Sequence, residues 1–165
     1  MRHGPAEDEA ADGLDSSRAL TLPGRERVRN VAKHLAQLDE APRLIVSSPL
    51  VRALQTAEIV ATTIGVQMPV EANRTLAPRG HAHDFVRECA AQNKKRMMVV
   101  GHEPDLSLLV GQLLDQPLQQ GFMKGMVVGI HMPNEGGPCS LRFILDPKTL
   151  QLLSDFRTRA PISSS

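Results

Sequence analysis

One pattern occurs twice in this chain and constrains it most: a short apolar run, a polar residue, then an apolar helical period. Arg43-Leu44-Ile45-Val46-Ser47 is the first run, and its β-branched content marks a buried strand. After Ser48-Pro49, the residues Leu50, Ala53, Leu54, Ala57, Val60, Ala61 and Ile64 keep helical spacing up to Gly65. That spacing predicts a helix capped by Ser48, with Pro49 in its first turn and glycine at its end. Met97 to Gly101 is the second run and His102 its polar residue. Glu103-Pro104-Asp105 then opens a helix carrying Leu106, Leu109, Val110, Leu113 and Leu114. Strands alternating with helices predict an α/β domain of three layers, with a mostly parallel central sheet covered on both faces. Such sheets take ligands beyond the carboxyl ends of their strands, where Arg52 and His102 both fall.

The remaining segments fit the same plan. Residues 5–20 lack a period and read as a loop ending near Arg18. Thr21 caps a helix with Pro23 in its first turn, and Val28, Val31, Ala32, Leu35 and Leu38 share one face before Ala41-Pro42 breaks it. Met68 to Glu71 reads as a brief strand, Leu76 to Gly80 as a loop, and Phe85, Val86, Cys89 and Ala90 as a helix whose basic end, Lys94-Lys95-Arg96, is solvated. Met126 to Met132 and Leu141 to Leu145 read as strands joined by a turn over 133–138, while Leu150 to Phe156 fits either a strand or a helix. Residues 1–160 are expected to form one domain, with 161–165 as a loose tail.

Composition removes several functional classes. The length of 165 residues suits a single domain with a real core, and a formal charge of +1 argues against a general nucleic-acid binder. Tyr and Trp are absent and Phe occurs four times, which leaves no platform for stacking bases or sugars. Cys89 and Cys139 form neither a disulfide framework nor a CxxC pair. A cysteine phosphatase loop needs arginine six positions after its cysteine, and Lys95 and Leu145 stand there instead. No signal peptide or membrane span is apparent, so a cytoplasmic location is expected, with no nucleic-acid or membrane partner. His81-Ala82-His83 lacks further ligands at metal-site spacing and reads as surface loop; no metal or cofactor is expected. His34 and His131 receive no role.

What remains is a set of cations and imidazoles: Arg2, His3, Arg18, Arg52 and His102. Arginine forks match phosphate oxygens bidentately, a neutral imidazole is a nucleophile near neutral pH, and a second imidazole can donate to a transferring phosphoryl oxygen. Together they suit phosphoryl transfer through a phosphohistidine, with charge neutralised without a metal. Arg2-His3-Gly4, Ser48-Pro49-Leu50-Val51-Arg52-Ala53-Leu54-Gln55-Thr56-Ala57 and Val100-Gly101-His102-Glu103-Pro104 resemble the three signature segments of the histidine phosphatase superfamily, with its phosphoglycerate mutase-like fold. Leu20-Thr21-Leu22-Pro23-Gly24, Gly101 to Leu106 and the small size resemble its SixA-type phosphohistidine phosphatases most closely.

The resemblance implies that His3 is the phosphorylated nucleophile, that His3, Arg2, Arg52 and His102 are catalytic, and that Arg2, Arg18, Arg52 and His102 bind the phosphate. It also implies a phosphohistidine-bearing protein as substrate, and no sequence feature decides the oligomeric state. Larger members that hydrolyse esters present a carboxylic acid where this chain has Leu76-Ala77-Pro78-Arg79-Gly80. An alkoxide needs a proton to leave, whereas the imidazole of phosphohistidine leaves readily, so the missing acid favours a P–N substrate. Glu103 and Asp105 are the nearest alternative acids, and with either in that role the chain reads as a phosphomonoesterase for a small metabolite. A further expectation concerns the amino end. The family's hydrophobic first strand precedes Arg-His-Gly, but only Met1 precedes it here, so that strand is expected to be missing or truncated. A sheet lacking it would leave a phosphate-binding module without turnover.

Overall fold

The computed structural model describes residues 1–133, 137–153 and 155–156; the expected tail at 161–165 and the middle of the 133–138 turn lie outside them. Helix α1 (Leu22–Gln37) starts as its sequence predicts: Thr21 Oγ1 accepts from Gly24 N at 3.0 Å, and Val28, Val31, Ala32 and Leu35 are fully buried on one face. Helix α2 (Val51–Ile64) ends at Gly65, which takes a φ of 80° and returns its N–H to Ala61 O. Its beginning differs from expectation. The N-cap is Leu50, without a side-chain cap, and the hydroxyl of Ser48 turns to other partners.

Strands β1 (Leu44–Ser47), β2 (Glu71–Ala72) and β3 (Met97–Val100) form a parallel sheet in the order β2-β1-β3. Strand alternation turns successive residues to opposite faces. Ile45 accordingly packs with α1 and α2, while Val46 packs with α3 (Ala82–Ala91) and α4 (Asp105–Leu113), so a helical layer covers each face. Because β1 and β3 are parallel and in register, their carboxyl ends put Ser47-Ser48 beside Val100-Gly101-His102.

The expectation of a mostly parallel sheet needs correction. Strands β4 (Val127–His131), β5 (Ser140–Leu145) and β6 (Leu152–Leu153) form a separate antiparallel sheet in the order β4-β5-β6. The short connection between β4 and β5 permits a hairpin but not a parallel crossover, which takes about a dozen residues or more. Residues 150–156, open between strand and helix, contain β6. The expected brief strand near Met68 is displaced to Glu71–Ala72, and the loop before Gly80 begins with a 3-10 turn at Arg74–Leu76.

The first strand is short rather than absent. Met1 N donates to Val99 O at 2.8 Å, Gly101 N to Met1 O at 3.1 Å, and His3 N to Gly101 O at 3.1 Å, a parallel ladder beside β3. On the opposite side Arg2 N donates to Met126 O at 3.0 Å, just ahead of β4. Met1–His3 therefore occupies the position between the two sheets and fixes the His3 backbone. A cavity of about 670 Å³ is walled by Met1, Met97, Val99, Val128 and Ile130 among others. Among the described residues no helix is long and apolar enough to cross a membrane.

Candidate active site

The His3 side chain enters the site from the end of this short ladder and is almost fully buried. Its Nδ1 lies 2.7 Å from Gly4 O. A carbonyl oxygen only accepts, so the proton resides on Nδ1 and Nε2 keeps its lone pair. Gly4 is required at the next position because a Cβ there would come within 2.6 Å of Val28 Cγ2. Helix α2 secures the same turn: Gly4 N donates to Thr56 Oγ1 at 3.0 Å, Thr56 Oγ1 donates to Arg52 O at 2.7 Å, and Gln55 Oε1 accepts from Leu20 N at 2.7 Å.

Arg52 projects from the first turn of α2 and is 5% exposed. It donates from Nη1 to Asp15 O at 2.7 Å and from Nη2 to Asp15 Oδ2 at 3.0 Å, while its Nε has no partner among the described residues. Arg2 donates from Nη1 to Phe122 O at 2.5 Å, again with an unpartnered Nε. His102 follows β3, is 3% exposed, and places its ring centroid 5.2 Å from that of His3. Its Nε2 is 2.7 Å from Ser48 Oγ and its Nδ1 has no partner among the described residues. The structure thus brings Arg2, His3, Arg52 and His102 together.

Arg18 is differently placed. Its fork is spent on its own loop, with Nε donating to Asp15 Oδ1 at 2.9 Å and Nη1 to Glu7 O at 3.0 Å; Asp15 links it to Arg52. Glu103 Oε2 accepts from Ser107 Oγ at 2.6 Å, and its Oε1 is buried without a partner. Asp105 Oδ2 accepts from the Arg79 N–H at 3.1 Å. His81 is the N-cap residue of α3, and His83 lies in its first turn rather than in a loop. Among the described residues no group of three or more His, Cys, Asp or Glu is disposed to hold a metal ion.

Electrostatics keep both imidazoles neutral. Burial is the main force lowering His3 to about 4; Arg52, Arg2 and Lys124 push the same way and the Gly4 carbonyl opposes them. Burial likewise lowers His102 to about 3, helped by His3 and Arg52. Burial lowers Arg2 as well, offset in part by Glu103. For Asp15, burial acts upward, but the bonds and charges of Arg52 and Arg18 outweigh it and hold the carboxylate below its ordinary range.

These shifts give a sign to the pH dependence of stability. An unfolded histidine titrates near 6.5, so below that pH the unfolded chain binds protons that folded His3 and His102 refuse. Stability is then complete above about pH 6.5 and declines as pH falls toward 4 and 3. Urea midpoints measured between pH 7.5 and 5 are expected to fall, and His102→Asn is expected to flatten that slope. An equal slope in the variant would assign the loss to other groups.

Sequence reasoning passed over four residues here: Asp15, Ser48 as a partner of His102, Thr56, and Lys124, whose charge acts on His3. Asp15 three residues before Arg18 offered a signal, since that spacing suits an acid-base pair. Lys124 offered none, because a single lysine between Met123 and Gly125 has no pattern.

Arginines around a bare imidazole nitrogen, beyond the carboxyl ends of parallel strands, suit phosphoryl transfer, and the similarities to known proteins point the same way. Residues 1–78 match the model of the histidine phosphatase superfamily (branch 1), and the chain resembles that superfamily. It is 28% identical over 154 residues to the phosphohistidine phosphatase SixA of Escherichia coli K12, covering 86% of this chain and 94% of that one. An uncharacterised protein of Picosynechococcus sp. is 40% identical over 109 residues, or 64% of this chain; the chain spans 66% of that relative. Among solved structures, the protein histidine phosphatase SixA complexed with tungstate superposes with a TM-score of 0.83 at 25% identity, over 92% of this chain and 97% of that one. A SixA structure from Agrobacterium tumefaciens, described as a phosphohistidine phosphatase by likeness, shares the fold with a TM-score of 0.74 at 22% identity, over 89% and 96%. The chain is SixA-like.

Proposed function

We propose that this chain is a metal-independent phosphohistidine phosphatase acting on a phosphohistidine displayed by a partner protein. The observation that carries this reading is the tautomer of His3: with Nδ1–H held by Gly4 O, the free Nε2 pair stands among Arg2, Arg52 and His102. Arg2 Nε and Arg52 Nε are buried N–H groups without acceptors. A buried donor left unsatisfied costs about 1–3 kcal/mol, and a phosphoryl oxygen would satisfy each. The likeness to SixA, solved with a tungstate oxyanion, supports the same ligand chemistry.

In this mechanism His3 Nε2 attacks phosphorus in line, and the P–N bond of the substrate breaks. The substrate imidazole departs neutral because its other ring nitrogen carries a proton. Water then attacks the phosphorus on His3, the new P–N bond breaks, and inorganic phosphate leaves with the water's proton passing to solvent. Arg2 and Arg52 neutralise the equatorial oxygens throughout, and Arg18 reaches the same anion when its loop yields. Neither step requires a strong carboxylic acid.

One observation favours a second reading. Glu103 keeps Oε1 free and buried near Arg2, where it could protonate an ester oxygen. Turnover of a phosphohistidine protein should be compared with a panel of sugar phosphates, in the wild type and in Glu103→Gln. The expected result is dominant phosphohistidine turnover changed less than about 3-fold by the substitution. General acid catalysis contributes about 10²- to 10⁴-fold, so dominant ester turnover with a loss of that size in Glu103→Gln would establish the phosphomonoesterase instead.

A further inference from the structure

Ser48 was expected to cap a helix and does not. Its side chain is fully buried, 2.7 Å from His102 Nε2, and its Oγ also receives the Leu50 N–H at 3.3 Å. The neighbouring Ser47 hydroxyl goes to Ser48 O at 2.9 Å and leaves Ser48 Oγ to His102. A hydroxyl has one proton to give and two lone pairs. One pair faces Leu50, and among the described residues the proton has no acceptor other than the His102 ring.

Two tautomers of neutral His102 can make this contact. With hydrogen on Nε2, the ring donates to Ser48, the serine proton has no acceptor, and Nδ1 presents a bare lone pair among Arg2, Arg52 and His3. That lone pair would repel a phosphoryl oxygen. With hydrogen on Nδ1, the serine proton goes to Nε2 and Nδ1 becomes an N–H donor with no acceptor among the described residues. Every donor is then either used or available to an oxyanion. We infer that Ser48 is a positioning residue that holds neutral His102 in its Nδ1–H tautomer, so that His102 donates to the transferring phosphoryl group. Burial, which keeps the ring neutral, makes such a tautomer lock necessary, because a doubly protonated ring would donate from both nitrogens.

This assigns opposite chemistry to two histidines by backbone and side-chain partners alone. In both rings Nδ1 carries the proton. His3 spends it on Gly4 O and offers a lone pair; His102 anchors its Nε2 on Ser48 and offers the proton. The inference rests on the phosphatase reading for its consequence, but the tautomer itself does not.

The test is a long-range ¹H–¹⁵N correlation spectrum of the labelled full chain near pH 7.5, with and without inorganic phosphate. The expected result in wild type is a His102 Nδ1 at the protonated shift and Nε2 at the unprotonated one, with Nδ1 moving when phosphate is added. In Ser48→Ala the proton should redistribute to Nε2. Phosphate release from a phosphohistidine protein should fall about 10- to 100-fold in kcat, the range for losing the partner that orients a site group. Adding Ser48→Ala to His102→Ala should cost nothing further. A wild-type ring protonated on Nε2 overturns the inference without any variant, and so does Ser48→Ala retaining the Nδ1–H form. If wild type releases no phosphate from phosphohistidine, the functional reading fails while the ring spectrum still decides the tautomer.

Discussion

His3→Ala is expected to lower phosphate release from a phosphohistidine protein by at least about 10³-fold, because the whole covalent route depends on one nitrogen. The wild type should acquire an acid-labile, base-stable phosphoryl group during turnover, visible by rapid-quench mass spectrometry, and the variant should not. Folding should survive, since the backbone of His3 is held by Gly101 O and Gly125 N at 3.1 and 3.0 Å. Arg2, Arg52 and His102 would also remain to bind inorganic phosphate. Undiminished turnover in the variant would exclude the mechanism. Phosphate binding with no turnover in the wild type would identify a binding module instead.

Gly24→Ala is expected to give the largest loss of stability from a single methyl group. A Cβ at this position in the first turn of α1 would stand 2.1 Å from Pro5 O and 2.9 Å from Thr21 Oγ1. Both atoms are committed: Pro5 O accepts from Thr21 N at 3.1 Å, and Thr21 Oγ1 is the helix cap. Backbone on one side and a cap on the other leave nothing to swing aside, so the helix must retreat from the segment following Gly4. Overpacking of this kind costs about 1–3 kcal/mol, and for a chain of this size each kilocalorie lowers Tm by about 2–4 °C. A fall of roughly 2–12 °C in a thermal melt is expected; a shift under about 1 °C would show that α1 can slide freely.

The parts of the fold governed by local periodicity were legible. Helix α1 has Val28, Val31, Ala32 and Leu35 on one buried face, and its Thr21 cap is where the sequence put it. Strands β1 and β3 were equally clear, and with them the approach of Arg52 to His102. Pairing was less legible: β4 and β5 look like any apolar strands, and their antiparallel direction arises from connection length and packing. Ser48 shows the limit most plainly. Ser-Pro ahead of a helical period carries the same local signal whether serine caps the helix or not, and a tertiary partner 54 positions away decided the matter. The spacing of Asp15 to Arg18 was legible but its pairing with Arg52 was not, since a loop without periodicity does not disclose which distant partner its carboxylate meets.

The ladder of Met1–His3 has a consequence for the lifetime of the assembled site. Among the described residues, the backbone hydrogen bonds that join the parallel sheet to the antiparallel one pass through these three residues. Local opening of a protein proceeds in cooperative units whose free energies lie below that of global unfolding. An opening that parts the two sheets breaks the bonds of Arg2 N to Met126 O and of Gly125 N to His3 O and leaves the His3 backbone held on the β3 side alone. Amide exchange at Arg2, whose N–H crosses to Met126 O, reports that opening, whereas exchange at His3, whose N–H goes to Gly101 O, reports its attachment beside β3.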